Sequence, residues 1–223
     1  MITAVSDWDQ FLADVPWFLR AGQTVHLGYP QSWTRPPVDA LPELSALLAE
    51  ATLTPVSVDS EQFELLAWGP LHKRRGWLCH PARPGTDDAV PPIHKTFWTM
   101  CGGIVERFSE PEGWWLNQNE ILTASATRVP IGEVLDDYAW MWRDDGQDIP
   151  IDPDDWYVVA VEANGNLTLA DRRDGRLLLF APDHSFDGVT PLAGCPPYSL
   201  LTIDALPDLR TWIEENAAAW RDQ

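Results

Sequence analysis

The sequence predicts an α+β protein on three observations. Three strand-like runs stand together between residues 157 and 180. Segments with helical periodicity lie on both sides of them. A hydrophobic fraction of 45% over 223 residues is enough for a real core.

From the start of the chain, Ser6 followed by Asp9 has the form of a helix start, and Trp8, Phe11, Leu12 and Val15 recur at helical spacing until Pro16 intervenes. A second helix reads from Asp39 to Ala51, with Pro42 early in it and Leu44, Leu47, Leu48 and Ala51 on one face. The proline- and aromatic-rich stretch Gly28–Pro37 between them reads as an ordered loop. Phe63–Trp68 and Trp77–His80 read as short strands, and "PARPGTDDAVPP" (81–92) reads as a linker.

Beyond the linker, Ile93, Phe97 and Met100/Cys101 form a helical stripe that stops at Gly102-Gly103, where glycine can take the left-handed conformation. Ile104–Phe108 then reads as a strand, followed by a turn and the apolar Trp114-Trp115-Leu116. A helix is expected from Glu133 to about Trp142, with Val134, Leu135, Tyr138, Met141 and Trp142 at core spacing. The runs Tyr157–Val161, Leu167–Ala170 and Arg176–Phe180, joined by "EANGN" and "DRRDG", predict a three-stranded antiparallel meander. Leu209, Trp212, Ile213, Asn216 and Trp220 mark a closing amphipathic helix, with Pro207 in its first turn. No internal repeat stands out.

The 15 basic and 34 acidic residues give a formal charge of −19, which argues against a binder of nucleic-acid backbones. The charge is uneven: residues 1–111 hold 8 basic and 13 acidic side chains, residues 112–223 hold 7 and 21. A cationic partner would therefore be drawn to the second half. No stretch is apolar for long enough to span a membrane, and the opening residues lack a basic region followed by an apolar run. Cys79, Cys101 and Cys195 are scattered and odd in number, which suits a reducing cytoplasm.

The acidity peaks in "DDGQDIPIDPDD", where Asp144, Asp145, Asp148, Asp152, Asp154 and Asp155 have no lysine or arginine among them. It lacks the register of a calcium loop, and Pro150 and Pro153 stiffen it differently. It reads as a solvated loop or a partner-facing surface. Glu133, Asp136 and Asp137 on the preceding helix extend the patch, with Trp140 beside them and Arg143 the only cation between Glu133 and Asp155. His26, His72, His80, His94 and His184 show no zinc spacing, "CGG" (101–103) lacks a nucleophile-turn frame, and "EANGN" lacks a phosphate-loop pattern. No metal, cofactor or catalytic residue is read from the chain. Of thirteen tryptophans, Trp8, Trp98, Trp142, Trp156, Trp212 and Trp220 fall on core faces, whereas Trp114, Trp115 and Trp140 are harder to bury together. One of these three is a candidate exposed anchor.

Residues 91–220 resemble the SUKH superfamily. "PPIHKTFWTMCGGIVERF" (91–108) is similar to its opening helix, paired glycines and first strand. "DWYVVAVEANGNLTLADRRDGRLLLFAPDH" (155–184) is similar to its meander, and "YSLLTIDALPDLRTWIEEN" (198–216) to its closing helix. The resemblance implies an antiparallel or mixed sheet with flanking helices; residues 1–85 fall outside it and are expected to form an N-terminal α/β extension or subdomain. It also implies a binding protein without chemistry: a cytoplasmic immunity protein that neutralises a basic polymorphic toxin, often a nuclease, by direct contact. Glu133, Asp136, Asp137, Trp140, Asp144, Asp145, Asp148, Asp152, Asp154 and Asp155 are the expected contact surface. A regulatory or scaffold module of the same fold is the alternative, and a metal-dependent hydrolase a more distant one.

Overall fold

Ser6 starts the first helix, α1 (Asp7–Asp14), with a reciprocal cap: its hydroxyl accepts from the Asp9 N–H at 3.1 Å and its own N–H donates to the Asp9 carboxylate. The Ser6 hydroxyl and N–H hold the Asp9 carboxyl below the usual carboxylate range. The computed structural model describes residues 6–86, 89–111, 119–183 and 187–221. Trp114, Trp115 and His184 lie outside them. The protein is α+β, with six α-helices and open, antiparallel sheet among the described residues. It divides into two compact units: Met1–Pro84, Thr96–Leu116 and Glu214–Gln223 form one, Gly85–Lys95 and Asn117–Ile213 the other.

In the first unit, β1 (Val25–Leu27) and β2 (Gln31–Ser32) both pair with β3 (Thr52–Val58). Between them in sequence lies α2 (Pro42–Ala49), with Pro42 in its first turn and Leu44, Leu47 and Leu48 buried. Its cap residue, Leu41, offers no side-chain acceptor. The Glu214 carboxylate takes that role from a distance, accepting from the N–H groups of Glu43 at 2.9 Å and Leu44 at 3.2 Å. β3 continues into β4 (Glu61–Trp68) and β5 (Arg75–Cys79) as an antiparallel meander. Helix α3 (Pro92–Met100) leads to β6 (Ile104–Phe108), which pairs with β5 across a bulge at Leu78/Cys79. At the end of α3 Gly103 has φ 114°, and a Cβ on Gly102 would stand 2.2 Å from the Pro81 carbonyl, so neither position admits a side chain without movement.

Two aromatic clusters fill this unit. Trp8, Phe11, Phe18 and Phe108 meet at ring distances of 5.2–6.3 Å beneath α1. Trp68, Trp77 and Trp220 meet edge to face at 5.0–5.6 Å, and the Trp68 indole donates to the Trp220 carbonyl.

In the second unit, β7 (Glu120–Ile121) precedes two short helices, α4 (Ile131–Asp137) and α5 (Trp140–Asp144). The expected meander is present as β8 (Trp156–Val161), β9 (Leu167–Asp171) and β10 (Leu177–Phe180). β11 (Val189–Pro191) and β12 (Leu200–Ile203) follow, then α6 (Leu209–Arg221), of which Leu209–Ile213 belong to this unit. The strand order is β7-β8-β9-β10-β12-β11. One face of this sheet carries Trp156, Val158, Leu169, Leu178 and Phe180, which pack with Ile131, Leu135 and Trp142 of the two helices. Tyr157 meets buried His94: Nε2 faces the Leu122 carbonyl at 3.2 Å and so carries the proton, leaving Nδ1 to accept from the Tyr157 hydroxyl at 3.1 Å.

The helix expected over Glu133–Trp142 is instead broken at Tyr138-Ala139. Asp136, Asp137 and Tyr138 are three consecutive weak helix formers, and no basic residue offsets the carboxylates in the last turn of α4. The break leaves Trp142 buried and Trp140 52% exposed. All six tryptophans assigned to core faces are buried.

Gly76 gives the sharpest packing test. A Cβ there would lie 2.0 Å from the Leu66 carbonyl oxygen and 2.7 Å from the Phe108 ring, both on structure that cannot yield. Gly76→Ala is expected to destabilise the chain by about 3 kcal/mol or more, the upper end for overpacking, as read by urea denaturation.

Candidate interaction surface

Carboxylates collect on the second unit because its helical layer and the loop after it carry them outward. α4 buries Ile131 and Leu135, which leaves Glu133, Asp136 and Asp137 exposed. α5 buries Trp142 and leaves Trp140 and Asp144 exposed, and Asp145 and Asp148 follow in an exposed loop. The loop returns at Asp152, whose carboxylate caps the 3-10 turn Pro153–Asp155 by accepting from the Asp154 N–H at 3.1 Å. Asp154 is exposed and Asp155 half-buried. A Cβ on Gly132 would be 3.8 Å from that of Pro153, so α4 and the end of the acidic run lie side by side.

Part of this charge is already used within the chain. The turn between β9 and β10 carries Arg172, Arg173 and Arg176 back to the aspartates. The Arg172 N–H donates to the Asp155 carbonyl at 2.8 Å and its guanidinium to the Asp154 carbonyl at 3.2 Å. Arg173 pairs with the Asp155 carboxylate at 2.8 Å. The run is therefore tied to this turn at its C-terminal end, through Asp154 and Asp155.

The anchor of the arrangement is Asp171, 1% exposed at the end of β9. It accepts from the Arg173 N–H at 2.7 Å and lies 3.6 Å from the Arg173 guanidinium and 3.4 Å from that of Arg176. Burial alone would push its carboxyl up. The N–H groups of Arg173 and Asp174, with the Arg173 charge, outweigh that and hold it below the usual carboxylate range.

These groups frame a cleft of about 610 Å³. Trp156, Leu177, Leu178 and Ile203 supply apolar lining, and Asp152, Asp155, Asp171 and Asp204 face Arg173 and Arg176 around it. Of the residues expected on the contact surface, Asp152 and Asp155 line the cleft. Glu133, Asp136, Asp137, Trp140, Asp144, Asp145, Asp148 and Asp154 do not. Sequence reading missed Asp171, Arg173, Arg176 and Asp204; the mixed charges of "DRRDG" were the available signal for Asp171 and Arg173, read only as a turn.

No family model, curated protein or solved structure matches the chain.

Among the described residues no three His, Cys, Asp or Glu side chains converge at metal-binding spacing. Burial and the adjoining Cys101 thiol push the Cys79 thiol up, the opposite of nucleophile activation. No helix among the described residues is long and apolar enough to cross a membrane.

Asp171→Asn is expected to cost about 1–3 kcal/mol at neutral pH, because a buried ionised acceptor loses its charge-assisted bonds. The folded pKa lies below the unfolded one of about 3.9, so this contribution is complete above that value and is lost as pH falls through the lower, folded one. Urea titrations should give a constant gap between the two proteins from neutral pH to about 5, closing below about 4.

Proposed function

We propose that this chain is a SUKH-like immunity protein of the cytoplasm that neutralises a basic polymorphic toxin by binding it through the acidic face of the second unit. One observation carries the reading: a half-exposed tryptophan, Trp140, stands among outward carboxylates on elements packed to the core. Aromatic residues dominate binding hot spots, and a carboxylate field speeds the approach of a cationic partner. Nucleases are the toxin class that fits best, since a surface made to hold phosphates is basic. The resemblance of residues 91–220 to the SUKH superfamily supports the same reading. Contact requires no bond to be made or broken, so the protein acts as an inhibitor and not as an enzyme.

The partner to test is the protein encoded by the neighbouring gene, which on this reading is a toxin. Replacing Asp136, Asp137, Asp144, Asp145, Asp148 and Asp154 by asparagine leaves the capping Asp152 and the paired Asp155 intact. Association should slow about tenfold at low salt and lose much of its salt dependence. Trp140→Ala should weaken the complex about tenfold or more, chiefly through faster dissociation. Unchanged rates and unchanged salt dependence in both variants would sink the proposal.

A further inference from the structure

We propose that the cleft of the second unit is a socket for one arginine side chain of the cationic partner. The inference rests on the acidic-face reading and sharpens it by assigning a residue-sized site within that face. At about 610 Å³ the cleft is within the range of ligand pockets, roughly 300–1,000 Å³, and large enough for a long side chain. Trp156, Leu178 and Ile203 give it an apolar lining suited to the methylene stem of such a residue.

Its charges favour a cation. Four carboxylates and two guanidinium groups line it, an excess of two negative charges. The guanidinium groups are also committed. Arg173 spans Asp155 and Asp171, and Arg176 spans Asp171 and Asp174. Asp171, buried and bonded by the turn N–H groups, pairs with both arginines. Asp152 and Asp204 lie on the rest of the lining, and Asp204 is positioned by the Thr190 hydroxyl at 3.0 Å.

Arg173 already demonstrates the chemistry, since its guanidinium sits between two carboxylates of this same cleft. Arginine is favoured over lysine because a planar fork can bridge two carboxylates and is more weakly hydrated than an ammonium. The cleft is continuous with the acidic face through Asp152 and Asp155, so a partner seated on that face can place one side chain here.

The test is an NMR titration of the full chain with acetyl-Gly-Arg-Gly-amide, its citrulline counterpart and acetyl-Gly-Glu-Gly-amide. The arginine peptide should shift the Leu178 and Ile203 methyls and the Trp156 indole saturably. The citrulline peptide should bind about tenfold more weakly, since it keeps the shape and loses the charge. Thr202→Trp, which fills the cleft without changing its charge, and Thr202→Arg, which supplies a guanidinium from within, should each abolish these shifts in a protein whose other resonances are native. Equal binding of the arginine and citrulline peptides, or preferential binding of the glutamate peptide at Arg173 and Arg176, would overturn the socket. So would arginine-peptide shifts confined to Trp140 and its helix, an outcome that leaves the acidic-face reading standing. Conversely, a filled socket with toxin association indifferent to the six asparagine substitutions would sink the wider reading and spare the site.

Discussion

One buried carboxylate orders the acid-rich half of this chain. Asp171 sits at the end of β9 almost without solvent contact, where an isolated charge would be costly. It remains ionised because the turn that follows aims two backbone N–H groups and two guanidinium groups at it. The arrangement works in both directions. The N–H groups fix the turn, and the turn then delivers Arg173 to Asp155 and the Arg172 backbone to the Asp155 carbonyl. The exposed Arg173–Asp155 pair contributes little by itself, since solvent screens it. Its importance is geometric: it ties the end of the aspartate run to the sheet through Arg173, which also pairs with the buried Asp171.

Tryptophan does comparable work where charge is absent. Trp68, Trp77 and Trp220 bring a strand pair and the last helix into mutual edge-to-face contact, and the Trp68 indole finds a carbonyl there. Such rings have few rotamers and large buried area, so they give a stiff support at low entropic cost. Trp142 plays the same part under α5, which is why its near neighbour Trp140 is left outside. The helix break at Tyr138-Ala139 sets that choice. An exposed aromatic beside a buried one is thus a product of local helix propensity acting on a packed layer.

What the sequence disclosed depended on whether the deciding interaction was local. The meander over 156–180 was legible because its turns carry glycine and asparagine or aspartate at the hairpin positions, and its strands are short apolar runs of strand length. Ser6 and Asp9 were legible for the same reason, as partners three residues apart. Thr52–Val58 was not read as a strand, and Pro55 in its interior argues against one. The structure resolves the conflict through a neighbour distant in sequence. Pro55 lies opposite the gap between β1 and β2, where its carbonyl accepts from the Gly28 N–H at 2.8 Å and the missing proline N–H is not called on. The pairing of β6 with β5 across the proline-rich stretch was illegible in the same way. The aspartates of the candidate surface were found as a run of letters. That Arg172 and Arg173 reach back to them is a tertiary fact with no trace in local periodicity.

Concentrating carboxylates in this way has a folding cost that bears on binding. Like charges within Asp144–Asp155 repel one another, and an unconstrained loop would spread to relieve them. Here Pro150 and Pro153 restrict the backbone, the Asp152 cap closes a turn, and the arginines hold its far end. The ordering entropy of Asp152–Asp155 is therefore met when the chain folds. A cation that settles among these groups relieves repulsion without having to order a loop, which lowers the cost of association. Fixed carboxylates also present their field in one direction at all times, the condition under which long-range attraction most improves the chance that an encounter becomes a complex.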